Sequence, residues 1–198
     1  MISNRKGNAA TVELVAHPDR HSSLTNAELW KILGLKPGMA VAEIGAARGD
    51  LCRAISEVVG PAGHVFAVES FPELIEGLRQ RSRSQSNIHL VEEPYHQTGI
   101  ASESCDRVVM ANLWTHLHDP LATLSEAARL LRNDGRLILI EWRHDATYPP
   151  GPARDKRIES GEMIQLLERH GWDLHRCGQA STFSYFLEAG VCDESVQS

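Results

Sequence analysis

The apolar positions of this chain fall into two alternating rhythms. Short runs at 41–44, 65–68, 88–91, 107–110 and 137–142 are apolar enough to be strands buried on both faces. Between them, 51–59, 71–78, 121–131 and 163–167 space their apolar residues as amphipathic helices do. A chain that reads strand, helix, strand, helix predicts an α/β fold, a doubly wound parallel sheet with helices on both faces. An earlier helix is announced by Thr25 and Glu28 at capping-box spacing. It carries Leu29, Trp30, Ile32 and Leu33 as its stripe, and Gly34 and Pro37 stop it.

Start and stop residues sharpen these boundaries. Ser70 with Glu73, and Asp119 followed by Pro120, read as helix starts, while Gly135 and Gly171 read as helix ends. The stretch 172–187 reads as two strands joined at Gly178, a hairpin closing the sheet edge with Phe183, Tyr185 and Leu187 on one face. Residues 1–22 are polar and aperiodic, a loose tail; 23–190 form one domain and 191–198 a second tail. The segment 143–157, rich in Pro and charge, follows the fifth strand and is placed to line a site.

Bulk properties remove several function classes. At 198 residues and 42% hydrophobic content the chain can bury a core without disulfides. A formal charge of -6 with scattered Lys and Arg offers no concentrated positive field, which argues against nucleic acid as a partner. Cys52, Cys105, Cys177 and Cys192 form no CxxC, and the N-terminus lacks the basic-then-apolar pattern of a signal peptide. The expectation is a cytoplasmic protein with free thiols. No apolar run reaches the about 20 residues that cross a bilayer, so no membrane is expected either. His116 and His118 are two apart and no Cys/His cluster completes a ligand set, so no metal is expected. Cys52 and Cys105 are the thiols that could still meet in space.

The chemistry concentrates at Val41-Ala42-Glu43-Ile44-Gly45-Ala46-Ala47-Arg48-Gly49-Asp50, a strand passing through small residues into a helix. In a parallel sheet the ligand crevice lies beyond the carboxyl ends of the strands, and small residues let backbone approach a ligand there. The next apolar run ends at Glu69, an acid placed to accept ribose hydroxyls, and the pair of turn and acid specifies an adenosine site. The turn lacks the GxGxxG that seats a pyrophosphate, and no GxxxxGK[ST] occurs, which disfavours nicotinamide cofactors and nucleoside triphosphates.

With these residues in view, Leu35-Lys36-Pro37-Gly38-Met39 and the following VAEIGAARG resemble motif I of the class I S-adenosylmethionine-dependent methyltransferases. Residues 105–112 are similar to that family's fourth strand and 130–137 to the approach to its fifth. Residues 158–171 and Tyr185-Phe186-Leu187 resemble the closing helix and strand of small-molecule members related to the quinone-biosynthesis methyltransferases. The resemblance spans residues 17–188. It implies a Rossmann-like, mostly parallel seven-stranded sheet with an antiparallel terminal hairpin strand, and S-adenosylmethionine as cofactor.

Carried over residue by residue, the resemblance puts the backbone of Gly45, Ala46 and Ala47 against the methionine portion, with Gly49 closing the turn and Glu43 organising the amino group. Glu69 takes the ribose, Ser70 and Phe71 flank the adenine, and Glu93, Pro94 and Tyr95 border its other edge. Asn112 and Leu113 lie near the sulfonium. Ala47 departs from the family's middle glycine: if the turn demands positive φ there, the strain is roughly 1 to 2 kcal/mol. Arg48 replaces a small residue and either pairs with the cofactor carboxylate or is solvated.

Methyl transfer is a direct displacement that alignment alone accelerates greatly, so a base is not obligatory. His116 is the first candidate catalytic base, since an imidazole titrates near neutrality; the competing reading is that it packs against or caps the helix begun at Asp119. Tyr95, His96, Glu141, Arg143 and Tyr148 are further candidates to line the acceptor pocket, and Trp30, Trp114 and Trp142 suit an apolar, aromatic acceptor. The expected partner is a small-molecule methyl acceptor, and a homodimer is compatible with the sequence. The alternative function is a catalytically silent protein that keeps the fold for cofactor binding or regulation.

Overall fold

The computed structural model describes residues 26–147 and 151–192. The expected N-terminal tail, Thr25, Tyr148 and most of the C-terminal tail lie outside the described residues. In chain order the elements are α1 (Asn26–Leu33), β1 (Ala40–Ile44), α2 (Asp50–Val59), β2 (His64–Val68), α3 (Pro72–Ser82), β3 (Ile88–Val91) and β4 (Cys105–Ala111). After a 3-10 turn at Trp114–His116 come α4 (Pro120–Leu130), β5 (Leu131–Trp142), α5 (Ser160–Arg169), β6 (Trp172–Gln179) and β7 (Ser184–Val191).

The strands form one seven-stranded sheet in the order β3-β2-β1-β4-β5-β7-β6, parallel from β3 to β5 and antiparallel where β7 meets β5 and β6. Successive strand residues point to opposite faces, so one sheet divides two apolar cores. Ala42, Ile44, Val108, Met110, Leu137 and Leu139 face the core shared with α4 and α5. Val41, Val65, Val109, Ile138 and Ile140 face the core shared with α1 and α2. Cys105 belongs to the first core and Cys52 to the second, so the two thiols that could have met lie on opposite faces of the sheet. No helix among the described residues is long and apolar enough to cross a membrane.

Three boundaries differ from the sequence reading. Ser70 does not cap α3: the N-cap is Phe71 with Pro72 at the first position, because the Ser70 and Phe71 N–H groups are already held by Glu69. Gly135 does not end α4, which stops at Leu130 when Leu131 turns extended at φ -72 and ψ 139. Gly135 instead lies in β5, where a Cβ would come 2.9 Å from the Arg132 carbonyl oxygen. The terminal hairpin turns after Gln179 rather than at Gly178, which pairs with Phe186 inside the ladder. Phe183 is therefore in the turn, while Tyr185 and Leu187 share the α4 and α5 face as their alternation requires.

Candidate active site

Strand order reverses direction of growth between β1 and β4, and at such a switch point the loops beyond the carboxyl ends diverge and leave a crevice. The loop after β1 is fastened there by backbone. Gly45 and Ala46 N–H both donate to the Val68 carbonyl at 2.9 Å, and Gly49 N–H donates to the Ala46 carbonyl at 2.8 Å. Such a tight course needs left-handed residues: Gly45 and Gly49 stand at φ 81 and Ala47 at φ 51. The turn thus demands positive φ at the position where alanine replaces glycine, and it carries the strain of about 1 to 2 kcal/mol expected for a non-glycine residue.

Glu69, fully buried at the end of β2, ties the crevice together. Its Oε1 accepts from the Ser70 and Phe71 N–H groups at 2.8 and 2.9 Å and from the Tyr95 hydroxyl at 2.6 Å, and its Oε2 accepts from the Ala47 N–H at 2.8 Å. One carboxylate therefore joins the loops after β1, β2 and β3. Phe71 lies edge-on to Tyr95 with ring centroids 6.4 Å apart and packs with Ala47 and Leu74. Of the loop after β3, Glu93 is exposed and Pro94 half-buried.

Beneath the turn, Glu43 is 1% exposed, and its Oε2 accepts the Cys52 thiol at 2.7 Å. Burial, with the Glu43 charge added, pushes the Cys52 thiol well above its ordinary range, so it stays a neutral donor. On the β4 side, Asn112 is left-handed at φ 50 and its N–H donates to the Ile140 carbonyl at 2.6 Å. Leu113 is fully buried against Gly45, whose missing Cβ would stand 2.7 Å from Leu113 Cδ1. Buried Glu141, at the end of β5, accepts the Leu113 and Trp114 N–H groups at 2.7 and 2.8 Å and so shapes the loop that carries His116. His116 is half-buried in the 3-10 turn and does not cap α4; Asp119 does, accepting the Ala122 N–H at 3.0 Å.

Gly45, Ala46, Ala47, Gly49, Glu69, Ser70, Phe71, Tyr95 and Leu113 are thus in one connected cluster, with Glu43 below the turn and Asn112 on its β4 side. Arg48 is exposed. Sequence reasoning missed two links: Cys52 as the donor to Glu43, and Tyr95 as the donor to Glu69. No local pattern marks either, since the partners are 9 and 26 residues apart.

A separate groove of about 490 Å³ opens beyond β5, lined among others by Arg143, His144, Ile164, Cys177, Tyr185 and Leu187. None of the turn residues lines it. Tyr185 on its wall pairs in register with Glu141 of β5. Arg143 is held by Asp145 at 2.9 and 2.7 Å, and buried Arg157 donates to the Pro152, Arg143 and Ala146 carbonyls, fixing the groove's wall. His96 is exposed and does not line this groove.

A family model described as a methyltransferase domain matches residues 42–139, from β1 through β5. A protein-L-isoaspartate O-methyltransferase of Methanothermobacter thermautotrophicus is 31% identical over 159 residues, 75% of this chain and 70% of that protein. The chain belongs to the class I S-adenosylmethionine-dependent methyltransferases. A demethylmenaquinone methyltransferase of Staphylococcus aureus is 25% identical to this methyltransferase over 113 residues, 57% of its length and 47% of the relative's. Among solved structures, a SAM-dependent methyltransferase from Aquifex aeolicus superposes with a TM-score of 0.85 at 21% identity, covering 94% of this chain and all of the other.

The cluster fits the adenosyl cofactor of its family. A Cβ at Gly45 or Gly49 would meet buried Leu113 at 2.7 Å or buried Leu78 at 2.5 Å, so glycine at both positions lets the turn close against the core. Glu69 Oε2 has one protein donor and lone-pair capacity for a hydroxyl.

Proposed function

We propose that this methyltransferase transfers the methyl group of S-adenosylmethionine to a small molecule. The observation that carries the reading is the Glu69 bracket, which holds the loops after β1, β2 and β3 around one carboxylate at the carboxyl ends of the strands. In this reading Glu69 takes the ribose hydroxyls, and the Tyr95 hydroxyl yields part of its place on the carboxylate as they enter. The Gly45–Ala46–Ala47 backbone meets the methionine portion, and Glu43, kept in one orientation by Cys52, receives the ammonium group. Ser70, Phe71, Glu93 and Pro94 border the adenine; Asn112 and Leu113 lie near the sulfonium.

The cofactor supplies an electrophilic methyl group on sulfur, so the chain's task is alignment, exclusion of water and, for a protonated acceptor, removal of a proton. Glu141 fixes the 113–114 backbone and thereby aims the turn that carries His116, the candidate base. The groove beside Tyr185 is of small-molecule size and mixes apolar walls with Arg143 and His144, which suits an acceptor with an apolar body and a polar group. The demethylmenaquinone methyltransferase relative supports a small-molecule acceptor. A second reading, favoured by the 31% identical protein-L-isoaspartate O-methyltransferase, is a carboxylate on a peptide.

Calorimetric titration with S-adenosylmethionine and S-adenosylhomocysteine tests the site. Binding to the wild type and a loss of at least tenfold in Glu69→Ala are expected; no binding to either ligand overturns the assignment. Methyl transfer to an isoaspartyl peptide but to no small molecule would select the second reading. Cofactor binding without turnover on either acceptor class would select a catalytically silent protein.

A further inference from the structure

At the end of the sheet opposite the crevice, two histidines stand side by side on neighbouring parallel strands. His64 opens β2 and His89 is the second residue of β3, and both are exposed on the same face. His64 Nδ1 and His89 Nε2 are 3.0 Å apart, with ring centroids 5.2 Å apart. The His89 ring lies tilted against Phe66 with centroids 5.4 Å apart, the two residues pairing in register, and the His64 backbone N–H is held by the Met39 carbonyl at 3.0 Å.

Two imidazole nitrogens on one metal ion, each about 2.0 to 2.1 Å from it and subtending 90° to 109°, lie about 2.8 to 3.4 Å apart. The observed separation falls inside that window. We propose that His64 and His89 form a two-imidazole site for a late first-row divalent cation, which clamps the edge strand β3 to β2 with water completing the coordination. On binding, the ring that now donates moves its proton to its other nitrogen, so both lone pairs face the ion and no net proton is released from neutral rings. No group of three or more His, Cys, Asp or Glu among the described residues could hold a metal, so the pair has no richer competitor there. The ion would act on β3 itself, the strand that leads to Glu93 and Tyr95 in the loop at the crevice.

The probe is Ni(II), which favours imidazole and does not oxidise thiols, on the full chain carrying His17→Ala, Cys177→Ser and Cys192→Ser so that neither accessible sulfur nor the His17–His21 pair can compete. Calorimetry and thermal melting are run on this parent and on His64→Ala and His89→Ala made within it. The expected result is one equivalent bound by the parent, a melting midpoint that rises with Ni(II) concentration, and at least a tenfold loss of affinity in each single variant. Unchanged melting in the absence of metal verifies that both variants fold. No binding by the parent, or affinity retained in either variant, overturns the proposal, and neither result depends on the methyl-transfer reading.

Discussion

Adding a single methyl group at Gly45 tests how closely the turn after β1 is packed. Gly45 stands at φ 81, and a Cβ there would lie 2.7 and 2.9 Å from the Leu113 methyl carbons. Left-handed backbone costs a non-glycine residue about 1 to 2 kcal/mol, and overpacking a filled core adds typically about 1 to 3 kcal/mol. Reduced freedom of the unfolded chain returns about 0.5 to 1 kcal/mol, leaving Gly45→Ala about 1 to 4.5 kcal/mol less stable. Gly38 is the control, because it has nearly the same φ, 84, and nothing within 4 Å of its built Cβ. Gly38→Ala carries strain without the clash, so the difference between the variants, about 2 kcal/mol, isolates the Leu113 contact. For a chain of this length that difference lowers the melting midpoint by roughly 4 to 8 °C. Adding Leu113→Ala to both backgrounds completes the comparison: it should cost less in the Gly45→Ala background by roughly 1 to 3 kcal/mol. Equal midpoints for Gly45→Ala and Gly38→Ala, with no coupling to Leu113, would refute the packing argument.

Three further outcomes follow from the same geometry. Replacing a buried alanine with glycine ordinarily loses about 0.8 kcal/mol of methyl burial and about 0.5 to 1 kcal/mol of chain entropy, but at Ala47 relief of strain offsets both. The melting midpoint of Ala47→Gly should therefore stay within about 2 °C of wild type, and a fall of more than about 5 °C would show that φ 51 is not strained. Burial alone would raise the Glu126 pKa, but Arg129 and the Thr98 hydroxyl and N–H outweigh it and hold the carboxyl down to about 2. Its folded-state value being lowered, Glu126 stabilises the fold fully above the ordinary carboxylate range and progressively less as pH falls toward about 2. Urea denaturation should accordingly find Glu126→Gln about 1 to 3 kcal/mol less stable at pH 7, with the gap to wild type narrowing at pH 3; a pH-independent gap contradicts this. Tyr95→Phe frees one lone pair of Glu69 Oε1, so calorimetry should show several-fold tighter S-adenosylmethionine binding on a less stable fold, whereas a tenfold weaker complex would mean that the hydroxyl positions the carboxylate.

Much of the architecture was legible in the chain because it rests on short-range rules. Apolar runs at 41–44, 65–68 and 88–91 made strands since a parallel sheet covered on both faces needs continuous apolar stretches, and Asp119-Pro120 started α4 since a side-chain acceptor followed by a preset φ does so wherever it occurs. Glycine at 45 and 49 and the acid at 69 marked the crevice for the same reason: bare turn and acceptor are local signatures. What the sequence left open depended on distant partners. Ser70 carried a helix-start signal, yet its N–H was taken by Glu69, and α4 had already ended at Leu130, which left Gly135 inside β5. Whether Ala47 is strained was decided by the hydrogen bonds from Gly45 and Ala46 to Val68, and the orientation of the 113–114 loop by Glu141, 28 and 27 residues on. The sequence by itself determined the strand-helix order and the chemistry at the carboxyl edge; only the tertiary structure decided which buried donors those carboxylates hold, because a buried charge takes whichever donors the fold brings within reach.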